Sequence, residues 1–179
     1  ELESGATAVV TDASTVDIEQ ISLGKLYACR NEGTVYGDIN TGGVAGSMAL
    51  EYALDPEDDV SGSLSGSYRR EYEYRAVIQK CVNSGEVTGK RSYAGGICGR
   101  MDLGLITDSE SCGVIASESG SYVGGIAGVT AGTVRGCFSK TSLSGKNYVG
   151  GIVGSGVEDK ADGSASTVAG CYSMAEITD

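Results

Sequence analysis

Small or apolar side chains alternate with polar ones in short stretches of this chain. The segment CVNSGEVTG at Cys81–Gly89 places cysteine, asparagine, two glycines and a valine on one side, and valine, serine, glutamate and threonine on the other. The segment CRNEGTVYG at Cys29–Gly37 follows the same order. A period of two residues is typical of β-strands, whereas an amphipathic helix repeats every 3.6 residues. The pattern therefore predicts short strands.

These stretches recur in register, and a glycine-rich block follows each of them. YAGGICG at Tyr93–Gly99 returns as YVGGIAG at Tyr122–Gly128 and as YVGGIVG at Tyr148–Gly154, with TGGVAG at Thr41–Gly46 as a looser copy. One equivalent position can be followed through all copies, occupied by Cys29, Cys81, Ser109, Cys137 and Cys171. Its spacings are 52, 28, 28 and 34 residues, so the unit is 28 residues with insertions. Such a repeat is the signature of a solenoid.

Short strands at this period cannot bury an apolar face alone, but stacked coils can, with each strand hydrogen-bonded to its equivalents above and below. The predicted fold is all-β, a parallel β-helix (β-solenoid) of about four to five coils, with one inserted loop or hairpin and rungs about 4.8 Å apart. Right-handed coiling is expected for parallel crossovers. The paired glycines are predicted to allow positive φ at corners and to let backbones approach closely.

The predicted organisation is an N-terminal cap or strand followed by the solenoid. The cap is assigned to residues 1–23 and the solenoid to residues 24–179. An insertion is assigned to residues 47–75, and the repeats to residues 24–46, 75–103, 104–131, 132–155 and 166–179. The chain does not begin with methionine, so we expect it to be a mature or excised segment of a longer protein.

Two sets of equivalent side chains are expected to be structural. The first forms one polar ladder, in which each side chain satisfies corner backbone groups coil after coil, and comprises Asn31, Asn83, Ser111, Ser139 and Ser173. The second is the tyrosine before each full glycine block, and we expect these rings to stack on one another: Tyr93, Tyr122 and Tyr148.

The net charge of −11, from 24 acidic and 13 basic residues, disfavours nucleic acid and anionic membranes as partners. No apolar run approaches the roughly 20 residues of a membrane-spanning helix, so membrane insertion is not expected. The chain has no histidine, and no cofactor is predicted.

The insertion carries the candidate binding residues, because an excursion from a repeat body escapes the stacking constraint. Its acidic run offers carboxylates for calcium, namely Asp55, Glu57, Asp58 and Asp59, although a solvated acidic loop is the favoured interpretation. Its aromatic and basic run offers cation–π or carbohydrate-stacking contacts through Tyr68, Arg70, Tyr72 and Tyr74. A hairpin strand that packs its tyrosines against the solenoid wall is the simpler alternative.

The repeating block resembles the GLUG motif, a glycine-rich repeat of bacterial cell-surface proteins that also occurs in streptococcal immunoglobulin A peptidases. The residues that carry the resemblance are Gly85–Gly99, Gly113–Gly128 and Thr141–Gly154, with Gly33–Gly46 as a looser match. The resemblance implies an extracellular or cell-surface, non-catalytic repeat region that spaces, displays or adheres. It supplies no catalytic residues to this chain.

Six cysteines in a surface protein suggest disulfides, but the repeat register favours free thiols. The four equivalent cysteines are expected to stack as small buried hydrophobes, with parallel side-chain vectors that suit a disulfide poorly. Cys98 and Cys112 lie outside that ladder, and a bond between them is a less favoured alternative. The Cys-x-x-Cys spacing of tetrahedral zinc sites is missing.

The sequence thus predicts a non-catalytic module of a larger bacterial surface or secreted protein, acting as a structural spacer or as an adhesion domain. Its expected partners are other domains of the parent chain, and a host glycan or extracellular protein. The alternative is a carbohydrate- or protein-binding domain that uses residues 47–75. A β-helix polysaccharide-processing enzyme is the least favoured, because the outward positions of equivalent strands show no repeated cluster of acids.

Overall fold

The computed structural model describes residues 24–49, 76–157 and 165–178, and these ranges contain 23 short strands and no helix. The first coil contains β1 (Lys25–Tyr27), β2 (Arg30–Asn31), β3 (Val35–Gly37), β4 (Thr41–Gly42) and β5 (Ala45–Met48). The second contains β6 (Val77–Gln79), β7 (Val82–Asn83), β8 (Val87–Gly89), β9 (Ala94–Gly95) and β10 (Cys98–Met101).

The later coils repeat this order. The third contains β11 (Leu105–Thr107), β12 (Glu110–Ser111), β13 (Val114–Ser117), β14 (Val123–Gly124) and β15 (Ala127–Thr130). The fourth contains β16 (Thr133–Arg135), β17 (Phe138–Ser139), β18 (Ser142–Ser144), β19 (Val149–Gly150) and β20 (Val153–Gly156). The fifth contains β21 (Thr167–Ala169), β22 (Tyr172–Ser173) and β23 (Glu176–Thr178).

Equivalent strands of successive coils pair in parallel and build five sheets, which we number first to fifth after the first-coil strands β1 to β5 that they contain. The first three sheets have five strands and the last two have four. In the first sheet one inward position is occupied coil after coil by Leu26, Ile78, Ile106, Val134 and Val168. The second sheet brings Arg30, Val82, Glu110, Phe138 and Tyr172 into one row. The parallel β-solenoid predicted from the repeats is therefore confirmed, together with the register of its units.

The interior holds two apolar clusters. The larger one lies among the first, second and fifth sheets and includes Ile78, Ile106, Ile97, Ile126 and Met101, which are all fully buried. The smaller one lies between the third and fourth sheets and comprises Val87, Ala94, Ile115, Val123 and Leu143. Each residue contacts its counterparts in neighbouring coils, so the core is continuous along the axis although each coil is thin.

The polar ladder predicted from the sequence is present as a column along the second sheet. We call it the amide–hydroxyl column: Asn31, Asn83, Ser111, Ser139 and Ser173. Asn31 Nδ2 donates to Asn83 Oδ1 at 2.8 Å and to the Gly33 carbonyl at 3.0 Å. Asn83 Oδ1 accepts from the Gly85 backbone N–H at 3.3 Å. The column thus satisfies the backbone of the next corner, which removes the cost of burying unpaired polar groups.

The paired glycines do not supply the left-handed corners, and that part of the sequence prediction is wrong. Positive φ occurs instead at the residue before each glycine block, with Tyr93 at 71°, Tyr122 at 69° and Tyr148 at 54°. A second left-handed position directly precedes the cysteine position and is occupied by Ala28, Lys80, Asp108, Gly136 and Gly170. A side chain with a Cβ costs about 1 kcal/mol or more in this conformation. At both positions the backbone N–H donates to the next coil, Lys80 to the Thr107 carbonyl at 3.2 Å and Tyr93 to the Ser121 carbonyl at 3.1 Å, and this pairing holds the corner in place.

The second part of the glycine prediction, close backbone approach, is confirmed. A Cβ built on Gly95 would overlap the carbonyl oxygen of Cys98, and one on Gly124 would overlap that of Ala127. The second glycine of each pair faces the amide–hydroxyl column of the following coil. A Cβ on Gly125 would overlap Ser139 Oγ, for example. The second glycine of each pair therefore leaves the space that the column side chain of the next coil occupies, and a residue with a Cβ there would overlap that side chain.

The first and the fifth coils differ in two respects from the expectation or from the middle coils. β5 continues to Met48, with Ser47 opposite Arg100, so the first coil extends two residues into the range that the sequence assigned to the insertion. In the fifth coil the inward side chains are open, with Val168 at 46% and Ile177 at 54% exposure, against full burial of their counterparts in the fourth coil. The predicted cap at residues 1–23 lies outside the described residues.

Candidate interaction surface

The predicted binding residues lie outside the described part of the chain. This applies to the calcium candidates Asp55, Glu57, Asp58 and Asp59, and to the candidates Tyr68, Arg70, Tyr72 and Tyr74. The described chain stops at residue 49 and resumes at residue 76. Both flanking strands are anchored in the body, because Met48 is 7% exposed and Val77 is 1% exposed. The chain is therefore held in the solenoid body on both sides of residues 50–75.

Within the described residues, the outward positions of the second and third sheets form an open groove, which we call the outer groove. It has a volume of about 460 Å³ and runs along the corner where each coil turns from one sheet to the next. Its exposed side chains before the corner are Ser84, Cys112, Lys140 and Met174, and those after it are Glu86, Val114, Ser142 and Glu176. The groove is shallow and chemically mixed, which suits contact with a surface better than enclosure of a small molecule.

The two carboxylates that line the outer groove belong to distant coils. Glu86 lies in the second coil and Glu176 in the fifth, with Val114 and Ser142 between them in the same row. Three rungs at about 4.8 Å place their backbones about 14 Å apart. The carboxyl groups that act as a pair in glycoside hydrolases stand about 5–9.5 Å apart. The rows of this groove therefore do not set two carboxylates side by side on neighbouring coils.

Polar contacts on the outside tie the coils together, one between neighbouring coils and one across an intervening coil. Arg91 of the second coil donates its Nε–H to Asp38 Oδ1 of the first at 3.0 Å, and its other nitrogen contacts Oδ2. These hydrogen bonds hold the pKa of Asp38 below its ordinary value. The Tyr36 hydroxyl donates to Glu118 Oε1 at 3.2 Å, and desolvation, followed by the Glu118 charge, raises the pKa of Tyr36. Exposed pairs of this kind contribute little stability.

The predicted tyrosine stack is confirmed. The ring centroids of Tyr93 and Tyr122 are 5.1 Å apart, and those of Tyr122 and Tyr148 are 4.8 Å apart with an interplanar angle of 6°. Arg100 lies over the Tyr93 ring at 5.3 Å. Tyr148 at the other end of the stack is 60% exposed. The spacing of the rings follows the rung spacing, so the stack is a consequence of the register.

All six cysteines are free thiols in the structure, as the repeat register indicated. Cys98 is fully buried in the fifth sheet, whereas Cys112 is exposed in the outer groove, so the alternative of a bond between them is wrong. Burial raises the pKa of Cys98 to about 12 and that of Cys137 to about 12. Both residues therefore pack as neutral small hydrophobes at physiological pH.

This burial predicts a specific loss of stability in alkali. The folded pKa of about 12 lies above the ordinary value of 9.0, so the stabilising effect is complete below about pH 9 and is lost as pH rises toward 12. The free energy of unfolding should fall by up to about 1.4 kcal/mol per pH unit for each such thiol in that window. Urea unfolding of the native chain and of Cys98→Ala at about pH 8 and about pH 11 measures the difference.

The matched variant is suggested by the repeat itself, because Ala45 and Ala127 occupy the position equivalent to Cys98. Cys98→Ala should therefore fold, and its unfolding midpoint should fall less steeply with pH than that of the native chain. Equal slopes for the two proteins would show that Cys98 ionises as freely in the folded state as in the unfolded one.

In the described ranges, no group of three or more Cys, Asp or Glu side chains is arranged to hold a metal ion. The same ranges include no helix with the length and apolarity that crossing a bilayer requires.

Sequence reasoning did not anticipate the outer groove. Alternation identified the outward residues correctly, for example Lys140 and Glu86, but it gives no information on how sharply the chain turns between sheets. The signal that was available is the row Gly33, Gly85 and Gly113, which continues as Thr141 and Ala175. Small residues at one inward position in every coil mark a place where the chain turns between two strands, and the outer groove lies along that turn.

Comparison with known proteins supports the fold. No protein-family model matches the chain, and no curated protein matches it in sequence. Among solved structures, the crystal structure of a candidate immunoglobulin A1 protease from Bacteroides ovatus is similar, with a TM-score of 0.60 over 86% of this chain and 23% sequence identity. The chain spans 42% of that protein's length. The chain thus has the fold of part of a Bacteroides protein, a parallel β-solenoid.

Proposed function

We propose that this chain is a non-catalytic repeat module of a larger secreted or surface protein of a bacterium, and that it works as a structural spacer. The observation that carries the proposal is the contrast between inward and outward rows. One inward row reads Leu26, Ile78, Ile106, Val134 and Val168, whereas a neighbouring outward row reads Arg30, Val82, Glu110, Phe138 and Tyr172. The inward side chains, which pack the coils together, are thus alike in every coil, whereas the outward side chains differ from coil to coil.

Two further observations support a bacterial surface setting. The glycine blocks resemble the GLUG motif, and the similar Bacteroides ovatus structure is named for an enzyme that acts on immunoglobulin A1. That similarity covers less than half of the Bacteroides protein. A spacer within a longer chain agrees with such partial coverage, because a solenoid adds length without adding a new core.

A binding assay separates the spacer from an adhesion domain that uses the insertion. The intact chain and a variant lacking residues 50–75 are applied to an array of host glycans and extracellular-matrix proteins, with and without calcium. The deletion preserves Ser47 and Met48, which pair with the second coil. A spacer predicts no binding by either protein, provided that circular dichroism shows both to be folded.

Other outcomes of this assay would replace the proposal. Binding that disappears with residues 50–75 makes the chain an adhesion domain with its site in that segment, and dependence on calcium points to its acidic run. Binding that survives the deletion places the site on the solenoid surface, where Lys140→Glu in the outer groove is the first variant to test. Incubation with immunoglobulin A1 should leave its heavy chain intact, and cleavage would overturn the non-catalytic assignment.

A further inference from the structure

The position directly before each second-sheet strand forms what we call the cysteine column: Cys29, Cys81, Ser109, Cys137 and Cys171. Ser109 stands in the middle coil and separates the four cysteines into two neighbouring pairs. Each cysteine thus has one cysteine neighbour in the column, Cys29 beside Cys81 and Cys137 beside Cys171. This division makes the pairing unambiguous, unlike a column of five thiols.

In each pair the thiol of the later coil points back toward the coil that holds its partner, whereas Cys137 Sγ lies 3.8 Å from the Ile106 carbonyl oxygen of the third coil. Cys81 Sγ lies 3.7 Å from the carbonyl oxygen of Leu26 in the first coil, the coil that holds Cys29. Cys171 Sγ lies 3.6 Å from the carbonyl oxygen of Val134 in the fourth coil, the coil that holds Cys137. The backbones are in register, because the Val82 N–H donates to the Cys29 carbonyl and the Tyr172 N–H to the Cys137 carbonyl, both at 2.9 Å.

The two pairs occur where the repeat is interrupted. The spacing from Cys29 to Cys81 is 52 residues and that from Cys137 to Cys171 is 34, whereas the two spacings that involve Ser109 are 28 residues each. Cysteine neighbours therefore occur across the two long connections and not across the two short ones. A covalent link restricts the unfolded chain more when it closes a longer loop.

We propose that Cys29 with Cys81, and Cys137 with Cys171, are two redox-active dithiols that form disulfides between neighbouring coils when the protein meets an oxidising small-molecule disulfide. The links would fasten the first coil to the second and the fifth to the fourth. The reduced structure is the starting state of this reaction.

The burial of the column sets the order of events. Cys29 and Cys171 are partly exposed, whereas Cys81 and Cys137 are buried. The thiolate of the exposed partner attacks the oxidant disulfide, which releases one small thiolate and leaves a mixed disulfide. The buried partner then loses its proton to solvent and attacks the protein sulfur of that mixed disulfide, which releases the second small thiolate. Each pair loses two protons and two electrons, and the oxidant is reduced to two thiols.

The geometry asks for only a small movement. Neighbouring strands place equivalent Cα atoms about 4.8 Å apart, within the 4.4–6.8 Å range of disulfides. Parallel side chains leave the Cβ atoms at a similar separation, slightly beyond the usual upper value of about 4.5 Å. The outer member of each pair belongs to the first or the fifth described coil, where the inward Leu26 and Val168 are 38% and 46% exposed. Side chains this exposed are less tightly packed than those of the middle coils, which leaves room for the shift of about 0.3 Å that the bond requires.

Disulfide mapping tests the proposal on the intact chain. The fully reduced protein is incubated with oxidised glutathione under native conditions, alkylated, digested without reduction and analysed by mass spectrometry. We expect two linked peptides, one joining Cys29 to Cys81 and one joining Cys137 to Cys171. Cys98 should be recovered alkylated, and Cys112 alkylated or carrying glutathione. The oxidised protein should unfold about 10 °C or more above the reduced one.

Two matched variants sharpen the result, since Ser109 shows that the column accepts serine and the flanking cysteines show that it accepts cysteine. Cys137→Ser should remove the Cys137–Cys171 link and leave the Cys29–Cys81 link unchanged. Ser109→Cys should add links through the introduced thiol to Cys81 or Cys137. The proposal is overturned if the folded native chain yields no link, or if its links match the mixture obtained by oxidation in concentrated guanidinium.

Discussion

Ile115→Asp is expected to abolish the folded state, whereas Val114→Asp, one residue earlier, should leave it nearly unchanged. Ile115 is fully buried in the smaller apolar cluster between Val87 and Leu143, and Val114 is 48% exposed in the outer groove. An aspartate at position 115 loses the apolar burial and places an unpaired carboxylate in the core. The combined cost is about 5 kcal/mol or more, comparable with the whole stability of a domain.

Circular dichroism and urea unfolding of the two variants provide the measurement. The pair is matched in charge, in chain position and in the type of residue replaced, so the difference reports the direction of the side chain alone. Similar unfolding midpoints for both variants would mean that the strand is not half-buried as described. Loss of folding at Val114→Asp would mean that the outer groove is part of the core.

Gly125→Ala is expected to destabilise the chain by about 3 kcal/mol or more, although it adds a single methyl group. A Cβ at this position would overlap both Ser139 Oγ and the backbone carbonyl of Gly151. The serine hydroxyl can rotate away, but the carbonyl belongs to the next coil and cannot move without separating the two strands. The substitution therefore acts against the stacking of coils, and urea unfolding measures its cost.

Gly33→Ala provides the control for this substitution. A Cβ at Gly33 would meet its nearest neighbour, Asn31 Oδ1, at 3.8 Å, which is an ordinary contact. This variant should lie within about 0.5 kcal/mol of the native chain, or slightly above it, because alanine restricts the unfolded chain more than glycine. If the two alanine variants prove equally stable, the glycine pairs are not required for close stacking.

The fold could be predicted from the sequence because one register repeats through every coil. The alternation around Asn83 and its counterparts fixed which side chains face inward, and parallel stacking then followed from the period. The left-handed corners could not be located in this way. Glycine was the obvious candidate for positive φ, yet Tyr93 and Lys80 adopt it, at 71° and 54°. Backbone hydrogen bonds to the next coil hold that conformation, and a single sequence does not display them.

The candidate interaction surface could not be predicted in the same way, because its residues do not repeat from coil to coil. Outward positions differ from coil to coil, as Ser84, Cys112, Lys140 and Met174 illustrate, so they carry no pattern that a repeat analysis can use. Their meeting in one groove depends on the angle of the corner. The candidates in residues 47–75, such as Arg70 and Tyr72, remain predictions.

The parallel stacking also determines how the module responds to tension. The hydrogen bonds between coils point along the axis, so a pull on the two ends loads one rung at a time and peels the terminal coils first. Each coil contributes about 4.8 Å of length while stacked. A released unit of 28 residues extends to about 95 Å. If the chain serves as the proposed spacer, it is also an extensible tether that can lengthen roughly twentyfold, and covalent bonds between neighbouring coils would set the force at which it begins to lengthen.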